Sequence, residues 1–93
     1  MTKELKAVRL NVAGRVQGVG FRWATRRVAE AAGVTGYVTN LINGHVKIVA
    51  QADESTLKQF VAAIKASPTP YGQVTHVGIQ LIPVRAYSTF SVR

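Results

Sequence analysis

The chain contains no cysteine, two histidines and four acidic residues. The missing cysteine excludes disulfides and thiolate-bound metals. His45 and His76 lie far apart in sequence, which argues against a zinc site built from protein side chains. Glu4, Glu30, Asp53 and Glu54 form no evident carboxylate pair. No stretch approaches the apolar length of a membrane span. The opening MTKELKAVRL has no apolar run of signal-peptide length. The expectation is a cytoplasmic protein with no metal, cofactor or membrane association.

Apolar residues make up 47% of the 93 residues, which predicts one packed domain over residues 1–93. Twelve Lys and Arg against four acids leave a net charge of +8. That balance favours an anionic partner. Charge alone does not choose between a small phosphorylated molecule and a nucleic acid.

Val8, Leu10 and Val12 alternate with polar residues and read as a half-buried strand. Phe21, Ala24, Thr25, Val28 and Ala32 recur at helical spacing, and Gly33 is a natural stop. Val38 and its alternates mark a second strand. Asn43-Gly44 is a hairpin signal whose two turn positions call for positive φ. Val46, Ile48 and Ala50 form a third strand. Asp53 is placed to cap a helix with the stripe Leu57, Phe60, Val61, Ile64. Pro68 and Pro70 interrupt the pattern in SPTPYG. Val77, Ile79 and Leu81 mark a fourth strand, and STFSVR a short fifth at an edge. The order βαββαβ predicts an α+β, ferredoxin-like split βαβ fold, an antiparallel sheet with two helices on one face. In that topology the first two strands are parallel, with the third between them. Their C-terminal ends share one edge, two strand spacings or about 10 Å apart.

Residues 14–22, GRVQGVGFR, leave the first strand at that edge. Three glycines and two arginines occupy nine residues. Backbone N–H groups in a tight glycine loop can converge on an anion. The following helix adds its free N–H groups and dipole. Arg22 can give a planar pair of hydrogen bonds to phosphate oxygens. The stretch lacks the Lys-Ser/Thr of a Walker A loop, and its glycine spacing is not that of a dinucleotide fingerprint. Asn40, near the end of the second strand, carries a neutral amide that can donate and accept at once, so it can hold a water. On spacing alone the glycines also fit a simple turn, Arg22 a solvated surface, and Asn40 a residue that satisfies backbone groups near a turn. Trp23 and Tyr37 read as packing aromatics, His45 and His76 as surface residues, and Arg26 and Arg27 as a solvated helix face.

GRVQGVGFR, followed by GYVTNLINGHV, resembles the acylphosphatase family. The usual pattern there is G-x-V-Q-G-V-x-F-R and then G-x-V-x-N-x-x-D-G-x-V. The second element matches at Gly36, Val38, Asn40, Gly44 and Val46, and the likeness extends loosely to FSVR. The resemblance implies a ferredoxin-like fold and hydrolysis of a carboxyl–phosphate bond. Carried over, Arg15, Val16, Gln17, Gly18, Val19 and Gly20 bind phosphate with Arg22, and Asn40 positions water. A small acyl phosphate is the implied substrate, no cofactor is needed, and a monomer is expected. Asn43 stands where the family usually has aspartate, with little expected effect on chemistry. SPTPYGQVTHV is more irregular than the family's usual Gly-Pro segment and reads as lying away from the motifs.

The competing reading is a basic nucleic-acid-binding module, because the RNA recognition motif shares this topology. Its stacking aromatics are absent. The first and third strands offer Arg9, Asn11, Lys47 and Val49 instead.

Overall fold

The computed structural model describes residues 4–93. The elements are β1 (Leu5–Arg15), α1 (Phe21–Ala32), β2 (Thr35–Asn40), β3 (Val46–Asp53), α2 (Glu54–Lys65), β4 (Gln73–Ile82) and β5 (Phe90–Val92). The sheet order is β4-β1-β3-β2-β5. β3 runs antiparallel to both β1 and β2, so β1 and β2 are parallel, as the ferredoxin-like reading requires. The antiparallel expectation needs one correction, since β5 pairs with β2 in parallel and the sheet is mixed. The cause is the 83–89 connection. It carries the chain from β4 at one edge to the far side of β2.

Alternation along β3 separates the two faces of the sheet. Val46, Ile48, Ala50 and Ala52 join Leu10 and Val12 of β1, Val38 of β2 and the helix residues in one core. α1 contributes Phe21 and Ala29, and α2 contributes Leu57, Phe60 and Ile64. Burying each large side chain stabilises the fold by roughly 1.5–3 kcal/mol. Phe90 of β5 closes the core against Phe60, with ring centroids 6.2 Å apart. The stripe on α1 is shifted from the expected one. Phe21, Thr25 and Ala29 are buried, while Ala32 is exposed.

α2 starts as the sequence suggests. Asp53 accepts from the Thr56 N–H at 3.2 Å and from the Thr56 hydroxyl at 2.6 Å. The β2–β3 turn departs from expectation. Gly44 has φ 91°, but Asn43 is not in the positive region. The Gly44 N–H donates to the Leu41 carbonyl, and Asn43 Oδ1 accepts from the His45 N–H at 3.0 Å. This is a three-residue hairpin loop closed by one glycine, rather than a two-residue loop needing two left-handed positions. On β4, an edge strand, Ile79 and Leu81 remain 51% and 75% exposed and line an open groove with Leu57 and Val61 of α2.

The opposite sheet face is partly roofed. Gln51 donates to the Arg85 carbonyl at 2.7 Å and accepts from the Arg85 N–H at 2.9 Å. The 83–89 segment is thereby tied over β3, and Val49 and Gln51 are buried. Tyr37 packs edge-on to Tyr87, with the Arg93 guanidinium 3.9 Å from its ring centre.

Candidate functional site

The site is built where β1 and β2 end on the same edge. β1 runs on through Arg15, which pairs with Gln73, so the irregular loop begins at Val16, one residue later than the motif suggested. The strand bends just before it. The ladder to β4 slips between Ala13 and Gly14, skipping Thr75. Gly14 has φ 128°, and a Cβ there would lie 2.1 Å from the Gln73 carbonyl oxygen. Only glycine allows the two backbones that close, and the loop is aimed from this point.

Side chains anchor the loop at two points. Val16 is buried, and Val19 packs against the core. The loop's contribution at these positions is therefore its main chain. Gly20 caps α1 with φ 75° and no side-chain cap bond. The first helical hydrogen bond is Ala24 N–H to the Gly20 carbonyl. The N–H groups of Phe21, Arg22 and Trp23 are thus left over, as at any uncapped helix start. Among the described residues, the N–H groups of Gln17, Gly18, Val19 and Gly20 also find no protein acceptor. Among the described residues, seven successive N–H groups, Gln17 to Trp23, have no protein acceptor in a short arc at the positive end of a helix dipole.

Two connections join this arc to the end of β2. Gln17 Nε2 donates to the Leu41 and His45 carbonyls, both at 2.8 Å. Arg22, in the first turn of α1, donates from Nη1 to the main-chain oxygen of Arg93 at 2.9 Å. The Arg93 N–H in turn donates to the Val38 carbonyl at 2.8 Å. Asn40, the last residue of β2, lies two residues beyond Val38 and next to Leu41. Val38 faces the helices, so alternation puts Asn40 on that side as well. Asn40 is exposed and Arg22 half-buried. The loop, Arg22 and Asn40 are therefore gathered around one edge of the molecule.

Three placements differ from the sequence reading or go beyond it. The SPTPYG segment does not lie away from the motifs. Thr69 Oγ1 donates to the Val19 carbonyl at 3.2 Å. A Cβ on Gly72 would stand 3.0 Å from the Arg15 carbonyl oxygen. No local signal in the sequence announces this contact, because it depends on where a proline-rich loop runs. His45 is half-buried, with Nδ1 2.8 Å from Asn11 Oδ1. Trp23 is exposed on α1 with the Arg26 guanidinium 5.6 Å from its ring centre. Arg15 and His76 have exposed side chains.

The roof over Val49 and Gln51 bears on the nucleic-acid reading. A base-stacking platform would need the middle of that face open. Among the described residues, no group of His, Asp and Glu side chains is placed to hold a metal ion. Nor is any helix there long and apolar enough to cross a membrane.

The chain matches the acylphosphatase family over residues 8–92. An acylphosphatase from Latilactobacillus sakei is 53% identical over 88 residues, covering 94% of this chain and 96% of that protein. The crystal structure of acylphosphatase from Bacillus subtilis superposes with a TM-score of 0.91 at 34% identity, covering 97% of this chain and 99% of that one. The structure of an acylphosphatase from Coxiella burnetii gives 0.92 at 34% identity over the whole of both chains. Fold and sequence are thus similar to these enzymes along nearly their full length, and the chain belongs to the acylphosphatase family.

Proposed function

We propose that this acylphosphatase cleaves the carboxyl–phosphate bond of a small acyl phosphate by attack of water on phosphorus. The phosphoryl group is held by the main-chain N–H groups of the 16–20 loop and the first turn of α1. Arg22 adds a charged, forked donor. Only Nη1 of its guanidinium is engaged by Arg93, so other N–H groups remain for phosphate oxygens. Asn40 holds the attacking water through its side-chain amide. The water oxygen bonds to phosphorus, and the bond from phosphorus to the acyl oxygen breaks. The carboxylate departs with the electron pair, and the water's proton passes to the phosphate product or solvent.

A carboxylate is a stable leaving group, so protonating it contributes little. Rate acceleration then rests on positioning and on donors aimed at the phosphoryl oxygens. The observation that carries this reading is the run of unpaired N–H groups from Gln17 to Trp23 beside Arg22. The enzyme is read as a cytoplasmic monomer acting on a diffusible substrate.

The test is hydrolysis of acetyl phosphate by the purified protein with EDTA present, beside Arg22→Ala. Rapid hydrolysis by the wild type and its loss in the variant support the reading. Equal rates for the two proteins would remove Arg22 from the mechanism.

A further inference from the structure

We infer that Thr69 is a positioning residue for phosphate binding, acting through the Val19–Gly20 peptide of the loop; this rests on the phosphate site proposed above. The segment that carries it leaves α2 through Ser67, whose N–H closes the helix end on the Ile64 carbonyl. Ser67 Oγ then donates to the Thr69 carbonyl at 2.8 Å. Thr69 is buried, with 7% of its surface exposed. Its hydroxyl is engaged on both sides. It accepts from the Tyr71 N–H at 3.3 Å and donates to the Val19 carbonyl at 3.2 Å. A hydroxyl has one proton, and the Tyr71 N–H already supplies its own, so Thr69's proton goes to Val19.

The consequence follows from peptide planarity. In a trans peptide the carbonyl and the next N–H point in opposite directions. Tying the Val19 oxygen to Thr69 therefore turns the Gly20 N–H away from the 67–72 segment. Gly20 is the N-cap of α1, at φ 75°. Glycine occupies positive and negative φ with little preference, so nothing in Gly20 itself resists rotation of this peptide. The Thr69 hydroxyl supplies the restraint. Without it the peptide samples other orientations, and one donor of the phosphate cradle is lost for part of the time.

The experiment uses purified wild type, Thr69→Val, Thr69→Ala and Thr69→Ser, assayed well below their melting temperatures. Steady-state hydrolysis of acetyl phosphate is measured with inorganic phosphate as competitive inhibitor. Val and Ala remove the hydroxyl with and without a similar volume, and Ser restores it. Both hydroxyl-free variants are expected to raise the phosphate inhibition constant about fivefold, the worth of one net hydrogen bond. Ser is expected to stay within about twofold of wild type. Wild-type phosphate inhibition in the Val or Ala variant, even with a lowered melting temperature, would overturn the inference. So would a Ser variant as impaired as Val. In both cases an active, phosphate-inhibited wild type leaves the proposed phosphate site standing. Absence of hydrolysis and of phosphate inhibition in the wild type would remove that site and this inference with it.

Discussion

Gln17 Nε2 lies 2.8 Å from the main-chain oxygen of Leu41, so a side chain of the glycine loop is fastened beside Asn40 at the end of β2. The same amide nitrogen reaches the His45 oxygen, using both of its protons on one turn. Gln17→Ala removes both bonds, each worth about 1 kcal/mol net. We expect kcat/KM for acetyl phosphate to fall by roughly tenfold or more. Gln17→Glu replaces two protons with acceptor oxygens facing two carbonyls, so it should lose more than Ala. Steady-state kinetics of the two variants check this order. A Glu variant close to wild type beside an impaired Ala variant would mean that the side chain only fills space.

Arg22 and Asn40 should separate kinetically. In the proposed site Arg22 holds phosphoryl charge in the substrate and holds it more strongly in the transition state, so Arg22→Ala should raise KM and lower kcat. A lost hydrogen bond to a charged group costs roughly 1.5–3 kcal/mol. Asn40→Ala should lower kcat by at least about tenfold with KM little changed, because water placement counts most in the transition state. A raised KM with unchanged kcat in Asn40→Ala would make it a substrate-binding residue instead.

Thr25 is fully buried in α1, and its hydroxyl has no hydrogen-bond partner among the described residues. A buried unpaired hydroxyl costs about 1–3 kcal/mol, and valine has nearly the same shape. Thr25→Val should therefore stabilise the fold by about 1 kcal/mol, raising the melting temperature by about 4–8 °C at this chain length. Calorimetry or thermal circular dichroism would show it, and a lower melting temperature would contradict it.

Ser67 is the one non-glycine with positive φ among the described residues, at 67°. Its hydroxyl bond to Thr69 offsets part of the strain. Ser67→Ala keeps the strain and loses the bond, and should cost about 1 kcal/mol. Ser67→Gly loses the bond but relieves the strain, at the expense of a more flexible unfolded chain. The glycine variant should melt above the alanine variant, by a shift equivalent to about 1 kcal/mol. Indistinguishable melting of the two would show that the backbone there is unstrained.

The parts of this structure visible in the sequence are those written in local pattern. Alternation in Val8–Val12 and Val46–Ala50 marked two strands, and Asp53 announced its helix through a cap that needs only three residues. Parallel β1 and β2 followed from element order, and with them the meeting of the loop with Asn40's strand. What stayed hidden depends on where irregular chain travels. The 67–72 segment folds back on the loop, and the 83–89 segment roofs Val49, yet neither path is encoded by periodicity. The Asn43-Gly44 signal marked the right turn but the wrong geometry. One added residue in the loop moves the left-handed requirement onto Gly44 alone, and the Asn43 side chain is free to accept from His45. On β4 the alternation is real, but at this sheet edge Ile79 and Leu81 line an open groove beside α2 rather than a closed core.

In the proposed site, main-chain amides of residues 16–20 and the first turn of α1, with Arg22, grip phosphate. A titration of isotopically labelled protein with inorganic phosphate, followed by amide NMR, tests it most directly. Saturable shifts concentrated on Gln17 to Trp23 and on the Arg22 side chain, and weakened in Arg22→Ala, are the predicted result. Phosphate that saturates elsewhere on the basic surface, leaving those amides unmoved, would contradict it.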